Sequence, residues 1–327
     1  MTGKAGGLLA QNNFPLNFIV ANPQYQAVIM GNNPGSSTYH SMNLELTKRL
    51  SHGFTNSFAY TWSRALGESD GDGATEYQDP RNRRQNHALL GFNRTQDFRS
   101  NGTVELPFGP GRKFLSNGAG FLTRLVERWQ FGGIFSWTSG VPLTITAPVS
   151  TISQLTSGTP ALPFNTPNIV GNFPKNIGKV TKLSNAVTYF PGLQQITDPS
   201  IAGVTSQNGL NGQFSNKAIT DSQGRLLLTN PSPGQVGSLG LMWVEGPPHV
   251  GLDMNLIKRV RITETKEFEF RVDTVNVLNH PNFGFNTNRD TQNNPYLINT
   301  NINSPDFGRF TDAQGSRRFT IGARLNF

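Results

Sequence analysis

The sequence lacks cysteine, long apolar runs and a normal share of charge. None of its 327 residues is Cys, which excludes disulfides, thiolate zinc sites and cysteine nucleophiles. Only 15% of the residues are Asp, Glu, Lys or Arg, against about 25% in an average soluble domain. No run of about 18 apolar residues is present, so the sequence offers no candidate membrane-spanning helix. If the protein spans a membrane, it must do so with β-strands.

Residues that disfavour helices and supply apolar surface are abundant. The chain has 35 Gly and 21 Pro, both poor helix formers, and its 23 Phe, 6 Tyr and 4 Trp argue against a disordered chain. The formal net charge is +8, but the basic residues are scattered and are densest only at 81–84 and 258–261. Because no nucleic-acid-binding motif accompanies them, we predict no nucleic-acid partner.

Alternation of apolar and polar side chains with a period of two is the strongest pattern. It predicts seven strands, at 39–50, 54–66, 95–107, 128–146, 249–261, 267–279 and 317–327. These segments are longer than the usual strand of about 5–6 residues. They suit the roughly 9–11 residues of a tilted strand that spans a bilayer.

The polar face of these predicted strands carries full charges. They are Glu45, Arg99, Glu105, Asp253, Glu269, Arg271, Asp273 and Arg324. Charges are costly in a dry core but acceptable beside a hydrated lumen. We therefore predict an all-β fold, an antiparallel transmembrane β-barrel segment. A soluble β-sandwich, which could also turn its polar face to water, is the alternative.

The predicted connections alternate between short and long, which is typical of outer-membrane barrels with short periplasmic turns and long extracellular loops. This pattern divides the chain into four parts. They are an incomplete extracellular loop region at 1–37, four barrel strands at 38–146, a long extracellular loop at 147–248, and the last three strands at 249–327.

Six stretches carry a family resemblance. They are STYHSMNLELTKRLSHGFTNSFAYTWSRAL (37–66), VELPFGPGRKFL (104–115), RWQFGGIFSWTSGVPLTI (128–145), GPPHVGLDMNLIKRV (246–260), EFEFRVDTVNVLNHPNF (267–283) and FGRF with RRFTIGARLNF (307–327). In their order and spacing they resemble the C-terminal barrel of TonB-dependent receptors of the Oar-like type. The resemblance implies a cell outer membrane location with outer-membrane lipid as a partner. It also implies uptake of an unidentified nutrient, energised by the TonB system through an N-terminal plug.

The last predicted strand ends in apolar residues at alternate positions, Phe319, Ile321, Ala323, Leu325 and Phe327. Outer-membrane barrels resemble one another in this ending, which implies recognition by the barrel-assembly machinery. Seven strands are odd in number and too few to close a barrel, and no signal peptide or plug is visible in the sequence. We therefore expect either a fragment of a longer gene product or a start codon assigned too far downstream.

Ligand contact is predicted in the loop 147–248, because binding residues concentrate on loops held by a rigid scaffold. Tyr189, Phe190 and Trp243 are the candidates, since their rings could stack on a sugar or another planar ligand. Packing within the loop is the alternative role of each ring.

No catalytic set, cofactor motif or metal site is recognisable, and we expect no enzyme. The five His residues include no pair at zinc-ligand spacing, and no nucleophile elbow or P-loop occurs. Uptake is the leading function. An outer-membrane anchor with a structural or adhesive role is the alternative. An outer-membrane hydrolase would need a Ser, His and acid set that the sequence does not show.

Overall fold

Seven long strands form one antiparallel sheet. The computed structural model describes residues 35–68, 82–115, 120–147, 165–199, 217–232, 235–263, 265–283 and 298–327. The strands are β1 (Ser37–Ser51), β2 (Phe54–Gly67), β3 (Gln96–Glu105), β4 (Trp129–Thr138), β5 (His249–Arg261), β6 (Glu267–Val275) and β7 (Arg318–Asn326). Each pairs with its neighbours in chain order, and a two-residue strand, Ala88–Leu89, adds to β2. The predicted antiparallel meander is confirmed.

The strands are long enough to cross a membrane. β3 and β4 each have 10 residues, which at about 3.3 Å per residue and a tilt of about 40° gives roughly 25 Å across the bilayer. Two strands end at least four residues earlier than the sequence pattern predicts. β4 ends at Thr138, because the backbone at Gly140 passes so close to Gly246 that an added Cβ would lie 1.9 Å from its carbonyl oxygen. β6 ends at Val275, because Asn276 turns the chain with a φ of 50°.

The connections separate into two kinds at opposite ends of the sheet. β1 and β2 are joined by His52 and Gly53, whose φ angles of 55° and 77° suit a two-residue hairpin turn. The connections 106–128, which contains the helix α1 (Phe121–Val126), and 262–266 lie at the same end, here called the short-turn end. The connections 68–95, 139–248 and 276–317 lie at the other, the long-loop end. The predicted asymmetry between the two ends is therefore present.

The main hydrophobic core lies outside this sheet, in a folded unit at the long-loop end. We call this unit the lobe; its described parts are 141–147, 165–199, 217–232, 235–245 and 298–310. Its core residues are Val141, Leu143, Ile145, Phe173, Tyr189, Phe190, Ile219, Leu227, Leu228, Leu239, Val244, Ile298 and Ile302. The connection predicted only as a long loop therefore contains a packed core of its own.

Short strands organise the lobe. One sheet has the order Leu193–Thr197, Lys217–Asp221, Leu226–Thr229, Asn168–Ile169, and two pairs are Pro142–Leu143 with Val244–Glu245 and Thr181–Lys182 with Val187–Thr188. Elsewhere Asn282–Phe283 pairs with Ala313–Gln314, and Arg83–Asn86 forms a 3-10 helix. Because Pro142–Leu143 and Val244–Glu245 follow β4 and precede β5, the β4–β5 hairpin continues into the lobe.

A second connection completes the lobe. Thr146 donates its backbone N–H to the carbonyl of Thr300 at 3.0 Å, and Ile302 donates to the carbonyl of Thr146 at 3.0 Å. Ile298 and Ile302, from the same segment, are 1% and 0% exposed. Two connections far apart in the sequence thus form one folded unit.

The hairpin turn gives a first prediction. We expect Gly53→Ala to destabilise the barrel by about 1–2 kcal/mol, because a side chain is strained in the left-handed region. The added Cβ would also lie 3.2 Å from the Cβ of Glu105. Urea unfolding in lipid vesicles measures the change. Gly322→Ala in β7, where no atom lies within 4 Å of the new Cβ, is the control, and an equal loss in both variants would contradict the explanation.

The lobe gives a second prediction. Leu228 is fully buried, so Leu228→Ala should cost about 2–5 kcal/mol of the lobe's stability. Hydrogen exchange of the lobe's backbone amides measures the effect, and β1 to β3 should keep their protection. Leu183 is 45% exposed, and Leu183→Ala should change exchange within about 0.5 kcal/mol. Similar effects of the two substitutions would show that the lobe has no cooperative core.

Candidate functional site: two faces of one sheet and the lobe beyond it

The strand register collects the apolar side chains on one face. Leu44 lies opposite Tyr60, Tyr60 opposite Phe98, and Phe98 opposite Trp137. The Phe98 ring makes edge contacts with Phe58 and Phe135, at centroid distances of 4.6 and 5.6 Å. The apolar face comprises Met42, Leu44, Leu46, Phe54, Phe58, Tyr60, Trp62, Phe98, Val104, Trp129, Phe131, Phe135, Trp137, Val250, Leu252, Met254, Leu256, Phe268, Phe270, Val272, Phe319, Ile321, Ala323 and Leu325. It extends from β1 to β7 with a few polar exceptions.

The apolar face is not the inside of a globular core. Leu44, Leu46 and Ile321 are 56%, 68% and 70% exposed, whereas the fully buried apolar side chains of the described residues lie in the lobe. A soluble protein rarely exposes so large an apolar patch, but a bilayer covers it at no cost. This exposure excludes, for the described residues, the soluble sandwich left open by the sequence pattern.

Two polar side chains on the apolar face, Asn56 and Lys258, have hydrogen-bond partners. Asn56 donates its side-chain N–H to the hydroxyl of Ser100 on the neighbouring strand at 3.0 Å. Lys258 is only 7% exposed and donates its ammonium protons to the backbone carbonyls of Arg124 and Glu127. Since an unpaired polar group in hydrocarbon costs several kcal/mol, these bonds make the exceptions compatible with lipid.

The opposite face is polar and carries paired charges. Arg99 binds Asp97 at 2.9 Å, and Arg271 binds Asp273 at 2.8 Å. Arg259 binds Glu269 at 2.8 Å and also donates to the side-chain oxygen of Gln130. These pairs are partly exposed, so each contributes little stability, about 0–1 kcal/mol. Their place opposite the apolar face fits the wall of a hydrated interior.

The residues of the predicted assembly ending share the apolar face. Phe319, Ile321, Ala323 and Leu325 lie opposite Thr274, Val272, Phe270 and Phe268 of β6. Phe327 follows β7 and is 83% exposed. The alternation predicted from the sequence therefore exists in the strand. Recognition of this ending by an assembly factor stays a prediction.

The predicted ligand-contacting aromatics lie within the packing of the lobe. Tyr189 and Phe190 are 5% and 3% exposed. The Tyr189 hydroxyl donates to the carbonyl of Glu245 at 2.6 Å, and the Phe190 ring stacks on Phe307 at a centroid distance of 5.3 Å. The sequence pattern missed Phe307, which belongs to the other long connection. Burial favours the packing role of both rings, and ligand contact stays a prediction.

Trp243 lies at the margin of the same core. Its indole N–H donates to the carbonyl of Phe173 at 2.9 Å. The ammonium of Lys175 lies 4.7 Å from the centre of its ring, within the range of a cation–π contact. This ring is half-buried rather than enclosed, so of the three candidates it has the most accessible surface.

Asp221 is a carboxylate of the lobe whose pKa is lowered. Desolvation raises the pKa of this carboxyl, but hydrogen bonds from the side chain and backbone of Arg225 and from the backbone of Gln223 outweigh it and hold the pKa below its ordinary value. These bonds close the hairpin between Lys217–Asp221 and Leu226–Thr229. Asp221 therefore has a structural role.

Neither a metal cluster nor a spanning helix occurs in the part of the chain that the structure describes. No three His, Asp or Glu side chains gather there as potential ligands of a metal ion. No helix in the described ranges is long and apolar enough to cross a membrane.

Comparison with known proteins agrees with the geometry. A family model described as an outer membrane beta barrel domain matches residues 4–320, nearly the whole chain. No curated protein matches the chain. The match covers the sheet from β1 to the start of β7 and the connections that form the lobe. The chain thus belongs to the outer membrane beta barrel domain family, and its place is the outer membrane, with the apolar face against lipid.

Proposed function

We propose that the protein is the barrel portion of a TonB-dependent receptor that takes up a nutrient across the outer membrane. The observation that carries the proposal is the combination of a polar sheet face with a folded lobe at one end of it. The polar face would line the path, and the lobe would hold the ligand at its entrance. Six stretches that resemble the Oar-like receptors, in matching order, support the energised form of this transport.

The lobe supports a receptor role because its connections are ordered by packing. A rigid support reduces the conformational entropy that a binding surface loses when a ligand arrives. Trp243 and the neighbouring Lys175 would be the first contacts to test, since a ring with an adjacent cation suits a polar planar ligand. The motive force would reach the barrel from TonB through an N-terminal plug.

An adhesive or structural anchor is the second candidate. The burial of Tyr189 and Phe190 favours it, because these rings stabilise the lobe instead of offering stacking surfaces. In this case the lobe itself would be the surface recognised by a partner outside the cell. Neither candidate includes a catalytic step.

Removal of the larger of the two connections that form the lobe tests the receptor role. Gly246 donates its backbone N–H to the carbonyl of Val141 at 2.9 Å, so a short turn can join these positions in place of 142–245. We expect the barrel to stay in the outer membrane. Uptake in the host should fall at least about tenfold, equivalent to about 1.4 kcal/mol of lost binding. The readout is depletion of sugars and peptides from the medium, followed by mass spectrometry.

The controls for this experiment are a deletion of the gene and a deletion of TonB. A compound that intact cells deplete, and that both deletions leave in the medium, supports energised uptake. If every compound is depleted equally by all strains while attachment to surfaces is lost with the lobe, the anchor function is correct.

Assembly gives a separate prediction. Phe327→Ala should lower the amount of protein in the outer membrane and raise the amount degraded in the periplasm, because it removes the terminal aromatic. Asn326→Ala, at the adjacent position on the polar face, is the control. Quantitative blotting of separated membranes measures both variants. Unchanged levels of the Phe327 variant would remove this residue from the assembly signal.

A further inference from the structure

The connection 106–128 does more than join β3 to β4. Three of its side chains, Leu106, Phe108 and Val126, line a shallow, open hollow together with Trp129, Phe131 and Leu256. The last three belong to strands and face the apolar, lipid-covered side of the sheet. The hollow measures about 300 Å³ and all six lining residues are apolar. It therefore opens from the lipid-facing surface at the short-turn end.

Two strand side chains fix the helix α1 against this face. Lys258 donates to the carbonyls of Arg124, at 2.7 Å, and Glu127, while its ammonium lies 5.4 Å from the centre of the Trp129 ring. The Trp129 indole N–H donates to the carbonyl of Leu125 at 2.8 Å. The last carbonyls of a helix have no partner inside the helix. Here the strands supply donors, so the wall formed by α1 is held in place.

The connection also has the composition of a segment at a membrane surface. Phe114, Leu115 and Leu125 are 47%, 53% and 52% exposed. The basic residues Arg112, Lys113 and Arg124 are exposed in the same connection. Exposed apolar side chains mixed with basic ones favour the boundary between acyl chains and phosphate headgroups. This boundary is where the short-turn end of a barrel lies.

Water is a poor occupant of this hollow. A water molecule needs about two to four hydrogen-bond partners. The only polar group on the lining side chains is the indole N–H of Trp129, and it already donates to the carbonyl of Leu125. Acyl chains surround the apolar face and reach the opening without crossing water. The phosphate headgroups of that leaflet lie at the same end of the sheet as the exposed basic residues of the connection.

We propose that this hollow binds one acyl chain of an anionic phospholipid, with its phosphate held by Arg124 and Lys113. The lipid comes from the leaflet at the short-turn end. It fastens the connection 106–128 to the outer face of the barrel. The site is separate from the polar face and the lobe, so it does not depend on the transport function.

Trp129 is a reporter within the site. The chain has 4 Trp, and replacing Trp62, Trp137 and Trp243 by Phe leaves only Trp129 to fluoresce. The full chain, folded in detergent, is titrated with phosphatidylglycerol that carries bromine in its acyl chains, because bromine quenches indole fluorescence on contact. We expect quenching to reach a plateau at one lipid per protein.

Filling the hollow tests its identity. Val126→Phe in α1 and Leu106→Phe just after β3 each place a larger ring at the hollow, and both should abolish the plateau while the protein keeps its folded mobility on gels. Because Leu106 lies outside α1, loss of the plateau in both variants cannot be explained by a disturbance of α1 alone. Val250→Phe makes the same change on the same face at the long-loop end of β5, and it should leave the plateau unchanged.

The headgroup is tested separately. Arg124→Gln should raise the lipid concentration at half-saturation about fivefold, the value of one cation near a membrane surface. Brominated diacylglycerol, which lacks the phosphate, should bind equally well to both forms. Equal effects of Arg124→Gln on the two lipids would remove the phosphate contact from the proposal.

Three results would overturn the lipid site. One is quenching that rises linearly with lipid and never levels off. Another is a plateau that survives both Phe variants in folded protein. The third is quenching that weakens under conditions in which analytical ultracentrifugation shows dimers. This result would mean that a second copy of the chain covers the hollow. Each of these leaves the proposed uptake function untouched, since uptake is measured independently in cells.

Discussion

The direction of successive side chains along paired strands is the constraint on which this protein depends. Backbone hydrogen bonds fix the register, and the register decides which side chains meet lipid. A slip by one residue would turn Glu45 and Arg99 toward hydrocarbon and Leu44 toward water. The cost of unpaired polar groups in a bilayer makes this register stringent. The apolar band, the ion pairs of the polar face and the positions of both connection types follow from it.

The lobe depends on ordinary burial instead. At the long-loop end the chain leaves the hydrocarbon, so stability has to come from an apolar interior shielded from water. Residues such as Ile219, Leu228 and Ile302 provide it, from two connections that meet only in the folded state. The continuation of the β4–β5 hairpin through Pro142–Leu143 links the two parts. The apolar face of the sheet is therefore covered by lipid, whereas the outer surface of the lobe is covered by water.

The sequence predicts the sheet well because its pattern is local. Alternation in β1, β5 and β7 needs only neighbouring residues, and His52-Gly53 is a local turn signal. The ends of β4 and β6 were predicted too late, since the close approach of Gly140 to Gly246 and the turn at Asn276 depend on packing or on a single φ angle.

Long-range packing accounts for what the sequence pattern missed. The sequence left ligand stacking and loop packing open for Tyr189 and Phe190, and Phe307 and Phe310 reach them from a connection more than a hundred residues later. The hydrogen bonds of Lys258 also depend on residues far away in the sequence. On a strand its charge breaks the apolar pattern, and only the folded connection supplies the carbonyls that accept its protons. The alternation of neighbouring side chains cannot predict such partners, because they come from distant segments.

The direction of the two outermost strands has a consequence for assembly. β1 and β7 each have one long neighbour in the described sheet, and both run from the long-loop end to the short-turn end. A copy inserted the same way up would bring its β1 parallel to this β7, whereas bacterial outer-membrane barrels pair antiparallel. Edge-to-edge self-association through these two described strands therefore cannot continue the antiparallel pattern of the wall.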